Sequence, residues 1–421
     1  MSKGASRLGS GFGSYSRLLR VPGAAPLAFW GIVGRFPIAM RSISCLLLIS
    51  AVTGSLAAAG TVTAAMLISQ GVVSPVLGRL ADRFSQRRVL LITCPVHATG
   101  ITLLLVSIVL EAPLRVLVVV AAATGCATVS YSSFMRARWA ALVDSERLRT
   151  AYALESVLDE TIFLLGPLLV AVLVTTVHPG AGLVACAVLS TVGSIAVALQ
   201  RRSEPAPEPG TDRFPERAIA VPGVQVLMVC YAGMGFLLGA VNVVMIAFAR
   251  EQSALGLGGV FVSLTAVGSL TAGAVYGAVD WRLSQVRLLS VTACLLTLGA
   301  IPLAYARSSL AMALLAIVAG VAIAPALITG SNVLHAVAPK TALSEAFSWL
   351  ISAGALGIAL GTAVAGRAAD SSGSRQAAWV AVGGGAVALA LSVAGASALR
   401  GTRSTPFGEA ELAPPVPART D

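Results

Sequence analysis

Three carboxylates lie inside one apolar stretch, residues 152–176: Glu155, Asp159 and Glu160. An ionised carboxylate in an apolar environment is unfavourable, so it needs a cation, a water-filled cavity or a bound proton. Reversible proton binding, at Asp159 or Glu160 above all, is the chemistry that would carry protons across a membrane. The alternative is a structural ion pair, which we expect for Glu155. At about 100° per residue, Glu155 and Asp159 share a helical face, and Glu160 points elsewhere.

Arg41 is the basic residue that we place within an apolar stretch, the first of the chain. A cation at that depth could bind an anionic substrate or balance the three acids. Alternatively, its long side chain could extend to the headgroups at the membrane surface.

A short basic hinge joins the stretches 61–77 and 89–110, and from Gly78 to Leu90 it reads GRLADRFSQRRVL. It resembles the signature of the major facilitator superfamily between helices two and three, roughly G-x-L-A-D-R-x-G-x-R-x-x-L. The matching positions are Gly78, Leu80, Ala81, Asp82, Arg83, Arg87 and Leu90. Ser85 stands where the family usually has glycine.

The resemblance implies a gating role for this hinge, with Gly78 and Asp82 at its centre. Asp82 would meet the positive N-terminal end of helix eleven near Thr341–Glu345 and hold helices two and eleven together. Arg83, Arg87 and Arg88 would supply charge pairs or contacts with lipid headgroups. The alternative is that these arginines only fix the topology.

The hinge is repeated in the second part of the chain, where the sequence from Gly277 reads GAVDWRLSQVRLL. Ser85 and Arg88 correspond to Ser284 and Arg287, and Asp280 lies one position early with respect to Asp82. We therefore predict two halves of common ancestry, which in this family enclose a central site.

The resemblance extends to further positions. Gly166 and Pro167 match part of a helix-five motif of antiporters, although the rest of its glycine series is missing. The arginine often found inside span four of proton-coupled members is also missing, since Arg115 and Arg136 lie at its ends. The family lines its cavity with spans one, four, seven and ten, whose polar candidates here are Arg41, Tyr131, Tyr231, Asn242 and Asn332.

The fold predicted from the apolar stretches is all-α and membrane-embedded, with twelve spans in two pseudo-symmetric halves of six. The spans fall near 36–55, 61–78, 89–110, 114–134, 152–176, 180–199, 221–248, 257–279, 287–306, 309–331, 344–366 and 377–399. Because Ala24–Gly34 is also apolar, the alternatives for span one are an earlier start and a preceding interfacial helix. We expect an N-terminal segment (1–24), a first half (25–199), an unpacked linker (200–218), a second half (219–400) and a disordered tail (401–421).

Composition and charge support a membrane protein. The 421 residues are 57% hydrophobic and 11% charged, against about 25% charged residues in globular domains. The basic excess does not indicate nucleic-acid binding, because the arginines lie in short clusters between spans. Twenty-three of the 29 basic residues fall on the side of the termini. Because basic residues are enriched on the cytoplasmic side, we expect both termini on the cytoplasmic side of the cell membrane.

The sequence offers little for catalysis or cofactors. The six cysteines form no ligand or disulfide pattern, and no G-x-x-x-x-G-K-[ST] loop for ATP is present. We therefore expect no metal, no cofactor and no enzymatic activity.

The function that we predict is secondary transport by alternating access, as a monomer in the bilayer. Within that class we favour proton-coupled efflux of a small amphipathic molecule. The alternatives are import of a small metabolite, including an anionic one held by Arg41, and a non-transporting sensor of the same fold. A membrane-embedded enzyme has little support.

Overall fold

The computed structural model describes residues 15–206, 218–254, 256–279, 281, 283–338 and 343–400. The regular structure of these residues is helical, without a strand. The first half contains α1 (Ala24–Thr53), α2 (Leu56–Phe84), α3 (Gln86–Val109), α4 (Leu114–Cys126), α5 (Tyr131–Leu142), α6 (Ser145–Thr176) and α7 (Ala181–Leu199). The second half contains α8 (Pro222–Glu251), α9 (Leu257–Ala278), α10 (Gln285–Ala300), α11 (Ser309–Gly320), α12 (Ile323–Val337), α13 (Leu343–Ala394) and α14 (Ala396–Arg400).

Eleven stretches of the described chain are long and apolar enough to cross a membrane. Two of them combine helices, because α4 and α5 form span four and α11 and α12 form span ten. The last, Ala346–Ala394, has 49 residues and would be about 74 Å long, more than twice the hydrocarbon core. It is interrupted at Gly373, where φ is +80°, and so crosses twice. This confirms the twelve-helix fold.

Two predicted span limits are wrong for the same reason. Span one begins at Ala24 rather than near residue 36, and span four continues to Leu142 rather than ending near residue 134. Each extension contains a fully buried arginine, Arg35 in α1 and Arg138 in α5. An apolar run ends at an arginine when only hydropathy is read, whereas these helices continue through an arginine that makes several hydrogen bonds inside the protein.

Twelve alternating spans give the molecule two faces. The face that we call the terminal face contains the connections at residues 85, 143–144 and 200–206 and the described part of 279–284. The opposite face contains the connections at 54–55, 110–113, 177–180 and 306–308 and the break at Gly373. Residues 207–217 of the predicted linker (200–218) and the predicted tail (401–421) lie outside the described residues.

The two halves are in backbone contact near the opposite face. A Cβ atom added to Gly60 of α2 would lie 2.6 Å from the carbonyl oxygen of Thr362 of α13. A Cβ atom on Gly259 of α9 would likewise lie 2.5 Å from the carbonyl oxygen of Pro167 of α6. Small residues allow helices to approach this closely in membranes, so the opposite face is closed.

Nearer the terminal face, α2 has free space beside it. A Cβ atom on Gly71 or on Gly78 would meet no atom within 4 Å outside its own stretch of helix. The contrast with Gly60 on the same helix shows close packing near the opposite face and free space around Gly71 and Gly78, which we call the open part of α2. Ser352 of the second half still reaches the carbonyl oxygen of Gly71, at 3.4 Å.

Candidate functional site

A buried charge cluster lies between α1 and α6. Arg35 is fully buried, and its Nη1 donates to Glu155 Oε2 and, at 2.8 Å, to Asp159 Oδ1. The two acids are four residues apart, and therefore lie on one face of α6. The Glu155 side chain is 2% exposed and that of Asp159 is 29% exposed. One guanidinium bonds to two carboxylates, so this hydrogen-bonded cluster carries one surplus negative charge when both acids are ionised. The exposed Arg136 also interacts electrostatically with Asp159, from outside the cluster.

The two carboxylates differ in how completely they are bonded. Trp139 Nε1 of α5 donates to Glu155 Oε1 at 2.7 Å, so both oxygens of Glu155 have a partner. For Asp159, the described residues supply a hydrogen bond to one oxygen only. Asp159 is thus the more accessible and the less firmly held of the pair.

The rest of α6 brings these groups to α1. A Cβ atom on Gly166 would lie 2.9 Å from Cβ of Ala39, one turn beyond Arg35, so the glycine keeps the two helices close. Pro167 follows at the contact with α9. Glu160 is half-buried and has no ion pair within the described part of the chain.

The proposed pairing of the acids with Arg41 is wrong, and so is the placement of Arg35 outside the span. Arg35 and Arg41 are six residues apart, so their side chains leave α1 in directions roughly 120° apart. Arg35 faces α6 and takes the role considered for Arg41. The helix was predicted to start one residue after Arg35, which hid this position.

Arg41 lies inside the first half and is 3% exposed. Its Nη1 donates to Thr128 Oγ1 at 2.9 Å, and its Nη2 donates to Gln70 Oε1 of α2. Thr128 belongs to the non-helical residues between α4 and α5. Arg41 therefore does not extend to a membrane surface.

The two tyrosines predicted to line the cavity are bonded within their own halves. Tyr131 Oη donates to Ser194 Oγ at 2.7 Å, and Tyr231 Oη donates to the carbonyl oxygen of Leu327 at 3.0 Å. Both rings are buried. Their role as substrate contacts stays a prediction.

The two asparagine candidates lie on the second half. Asn242 is half-buried in α8. Asn332 is exposed on α12, and its Nδ2 lies 3.5 Å from Oε1 of Gln285 at the start of α10, near the terminal face. Contact of either residue with a substrate also stays a prediction.

The predicted gating hinge lies where α2 ends and α3 begins. Gly78 is in the open part of α2, whereas the side chain of Asp82 and residues 339–342 lie outside what the structure describes. The contact of Asp82 with span eleven therefore stays a prediction.

The arginines of the hinge differ in their surroundings. Arg83 and Arg88 are exposed, and the guanidinium of Arg83 lies 5.4 Å from the ring centre of Phe84. The backbone N–H of Arg87 donates to Oε1 of Glu204 at 3.0 Å, which ties the hinge to the residues that follow α7.

The repeated hinge has the same serine cap in both halves. Ser85 Oγ accepts from the N–H of Arg88 at 3.2 Å, and Ser284 Oγ accepts from the N–H of Arg287 at 3.4 Å. Each serine thus caps the helix that follows it. Asp280 lies outside the described residues, so its comparison with Asp82 stays a prediction.

The backbone of Ser85 makes one substitution testable. Its φ is 146° and its ψ is 149°, a region that is essentially restricted to glycine and costs other residues about 1–3 kcal/mol. Glycine loses only a few tenths of a kcal/mol as a cap and up to about 1 kcal/mol through a freer unfolded chain. We expect Ser85→Gly to raise the thermal unfolding midpoint, by about 1 kcal/mol in free energy.

Ser284→Gly is the matched control, because Ser284 caps in the same way with an ordinary φ of −63°. It should lower the midpoint slightly. Equal effects of the two substitutions on the midpoint would contradict the assignment of strain to Ser85.

Span four carries a buried arginine near its terminal-face end, beyond the predicted limit of the span. The absence of an arginine from the middle of span four stays a prediction. Arg138 Nε donates to Gln86 Oε1 at 2.9 Å, and its Nη1 donates to the carbonyl oxygen of Gln200 at 3.0 Å and to Ser203 Oγ at 3.1 Å. These bonds join α5 to the start of α3 and to the 3-10 turn Arg201–Ser203. The first residues of the predicted linker are therefore packed, contrary to expectation.

A polar contact joins the two halves at the opposite face, and the sequence analysis did not identify it. Asp370, near the break in α13, accepts from the N–H of Leu56 and of Ala57, both at 2.8 Å, and from Ser55 Oγ at 2.6 Å. Arg250 Nη1 lies 3.5 Å from Asp370 Oδ1. A carboxylate of the second half thus caps the first turn of α2 in the first half.

Metal binding has no support in the described residues, since no three His, Cys, Asp or Glu side chains are grouped to hold an ion. The expectation that the protein needs no metal or cofactor rests on the sequence.

The chain matches the model of a known protein family. A family model described as the Major Facilitator Superfamily matches residues 27–281, which is more than half of the chain. No curated protein matches the chain at a significant level.

Solved structures of transporters share this architecture. The nucleoside transporter NupG covers 89% of this chain and 98% of its own, with a TM-score of 0.68 and 14% identity. The human organic anion transporter MFSD10 covers 87% and 99%, with a TM-score of 0.59 and 17% identity. A bacterial homologue of the iron transporter ferroportin covers 88% and 98%, with a TM-score of 0.62 and 15% identity. At these identities the similarity establishes the fold.

Proposed function

The chain belongs to the Major Facilitator Superfamily, and we propose that it uses protons to export a small amphipathic molecule, with Asp159 as the proton-binding carboxylate. Membership makes it a multi-pass membrane protein and a secondary transporter. Residues 25–199 and 219–400 would form the two halves, as a monomer in the cell membrane with both termini in the cytoplasm.

The observation that carries the proposal is one buried arginine shared by two acids. Arg35 neutralises one of Glu155 and Asp159, so the cluster holds one surplus negative charge. A buried net charge is unfavourable in a membrane, and one proton removes it. Asp159 is the group to take that proton, because it is more exposed and has fewer partners than Glu155.

Export is supported by the Gly166–Pro167 step, which resembles part of an antiporter motif. In this structure Gly166 brings α6 against α1, and the carbonyl oxygen of Pro167 meets Gly259 of the other half. The step therefore lies between the proton-binding cluster and the contact of the two halves. The same proton-binding cluster would also serve an importer, in which the substrate moves in the opposite direction.

The test compares Asp159→Asn with the wild type in inside-out vesicles that carry a proton gradient. Candidate amphipathic compounds should release protons through the wild-type protein. Asp159→Asn should abolish this release and gradient-driven accumulation, because the neutral amide leaves only the Arg35–Glu155 pair and cannot bind a proton. Exchange of labelled for unlabelled compound, which moves no net proton, should persist.

Two further variants separate the alternatives. Asp144→Asn, at an exposed cap of α6, should keep proton release and is the matched control. Glu160→Gln would assign the proton to the neighbouring acid if it alone abolished release. Intact proton release in Asp159→Asn would make Asp159 structural. Compound flux in the other direction would favour the importer, and absence of flux for every compound would favour the sensor.

A further inference from the structure

Arg41 is a buried cation without a carboxylate partner. Its two hydrogen-bond acceptors, Gln70 and Thr128, are neutral, and it belongs to none of the ion pairs of the described residues. Its Nε is buried without a hydrogen-bond partner. Because a buried charge is stable only when it is paired, Arg41 is suited to an anion that comes from outside the protein.

The backbone next to Arg41 adds positive potential. Residues 127–130 are non-helical in the middle of span four, and α5 begins at Tyr131 without a side-chain cap. In membranes, irregular backbone is tolerated where it lines a cavity, and the N-terminal end of such a half-helix attracts anions. Thr128, within this break, is hydrogen-bonded to Arg41.

Span ten is broken at the corresponding place, between Gly320 and Ile323. Gly125, just before the first break, meets the backbone of α2, and Gly320 meets the backbone of α9. Paired interruptions in the two halves are a sequence-level sign of a binding site, and the break in the first half is the one that faces a buried arginine.

A cavity of about 30 Å³ lies at this break. Arg41, His97, Thr128 and Tyr131 are among its polar lining residues, and Pro37 is part of its apolar wall. The volume matches one water molecule, which is also the scale of a single carboxylate group. A whole amphipathic molecule does not fit, whereas its head group does.

Gln70 connects Arg41 to the boundary between the halves. This half-buried partner of Arg41 lies on α2 and precedes Gly71. Ser352 of the second half approaches the carbonyl oxygen of Gly71 at 3.4 Å. Arg41 is therefore one hydrogen bond away from the place where α2 meets the second half.

We propose that Arg41, Thr128 and the N-terminal end of α5 bind the carboxylate head group of the transported amphipathic molecule. That the bound molecule is transported depends on the proposed function. The binding site itself is inferred from the buried arginine and the cavity. The substrate class is therefore amphipathic monocarboxylates rather than cations or neutral compounds.

The experiment measures binding to the purified full-length protein, with probes that share one apolar tail. Octanoate, octanol and octylammonium are titrated separately, and the thermal unfolding midpoint is recorded. Octanoate should raise the midpoint of the wild type saturably, with no comparable effect of the other two. Arg41→Gln should weaken octanoate binding about tenfold or more, as expected for loss of a hydrogen bond to a charged group. The octanoate affinity of Arg41→Lys should lie between those of the wild type and of Arg41→Gln.

Two controls keep the result interpretable if Arg41→Gln folds poorly. Thr128→Val keeps the arginine and removes one of its partners, and it should also weaken octanoate binding. Arg147→Gln removes an exposed arginine of the pair with Asp144 and should bind like the wild type. A saturable octanol effect equal to that of octanoate, no octanoate effect, or wild-type affinity in both Arg41→Gln and Thr128→Val would overturn the proposal.

This measurement is independent of proton coupling, because it uses no gradient. Octanoate binding without proton release in vesicles would contradict the proposed function and support the binding site. Proton release driven by cationic or neutral compounds, together with failed octanoate binding, would keep the function and remove the site.

Discussion

Arg35→Gln is expected to lower the free energy of unfolding by about 3–5 kcal/mol, because it leaves the buried carboxylate of Glu155 and the partly exposed carboxylate of Asp159 without the cation that bonds to both. Glu155 is 2% exposed, so its charge cannot be solvated in place. Glutamine can still donate a hydrogen bond, but it does not cancel either negative charge. The thermal unfolding midpoint and the folded yield of the purified protein measure the loss.

Rescue by a second substitution distinguishes unpaired charge from lost packing. Arg35→Gln combined with Glu155→Gln and Asp159→Asn removes all three charges at nearly constant volume, and it should recover most of the lost stability. Arg147→Gln removes an arginine from an exposed pair and should change the stability by less than about 1 kcal/mol. If the triple variant were as unstable as Arg35→Gln alone, the packing of Arg35 rather than its charge would be responsible.

The same variants bear on transport. Asp159→Asn alone removes the surplus charge and should fold at least as well as the wild type, whereas Arg35→Gln increases the net charge of the cluster. Arg35 and Asp159 share a hydrogen bond, yet we expect Arg35→Gln to lower the stability and Asp159→Asn to maintain or raise it. That sign difference follows from the ratio of one arginine to two acids.

The fold was predictable because hydropathy alone locates membrane helices. The twelve spans and the correspondence of Ser85 with Ser284 were accessible from the sequence. The limits of the spans were wrong at Arg35 and Arg138, where a buried arginine continues a helix that hydropathy would end. Hydropathy does not register the acceptors that make burial of Arg35 and Arg138 possible, because these acceptors come from distant parts of the chain.

The site was predictable only in part. The periodicity of α6 placed Glu155 and Asp159 on one face, but nothing in the sequence chose Arg35 rather than Arg41 as their partner. That choice depends on how α1 is rotated against α6, which the close approach of Gly166 to Ala39 determines. Asp370 was missed because its partners are 313–315 residues away in the chain, and such a contact leaves no local pattern.

Asp370→Asn is expected to shift the protein towards the conformation that is open at the opposite face, by about 30-fold in the equilibrium between the two conformations. In the structure one carboxylate accepts two backbone N–H groups and one hydroxyl from the first turn of α2. Hydrogen bonds to a charged group contribute roughly 1.5–3 kcal/mol, and the charge also interacts with the helix dipole. Asparagine keeps one acceptor oxygen and loses the charge, a loss of about 2 kcal/mol, hence the factor of 30.

The effect on conformation follows from where the partners lie. Asp370 is in the second half and α2 is in the first, so this contact can form only while the halves meet at the opposite face. Glu251 provides a comparison within one half, since it accepts from the N–H and hydroxyl of Ser374, both at 2.6 Å. The Glu251 contact travels with its half and does not favour either conformation.

Hydrogen exchange of backbone amides would separate a conformational shift from a local loss of the cap. In Asp370→Asn, faster exchange at residues 54–60 should accompany slower exchange around Gly71 and Gly78, because closing one face opens the other. Asp144→Ala removes a cap of α6 within a single half and should speed exchange only at its own helix start. If Asp370→Asn behaved in the same local way, the contact would be an ordinary helix cap. A coupled change at both faces would instead show that this carboxylate holds the two halves of the transporter together.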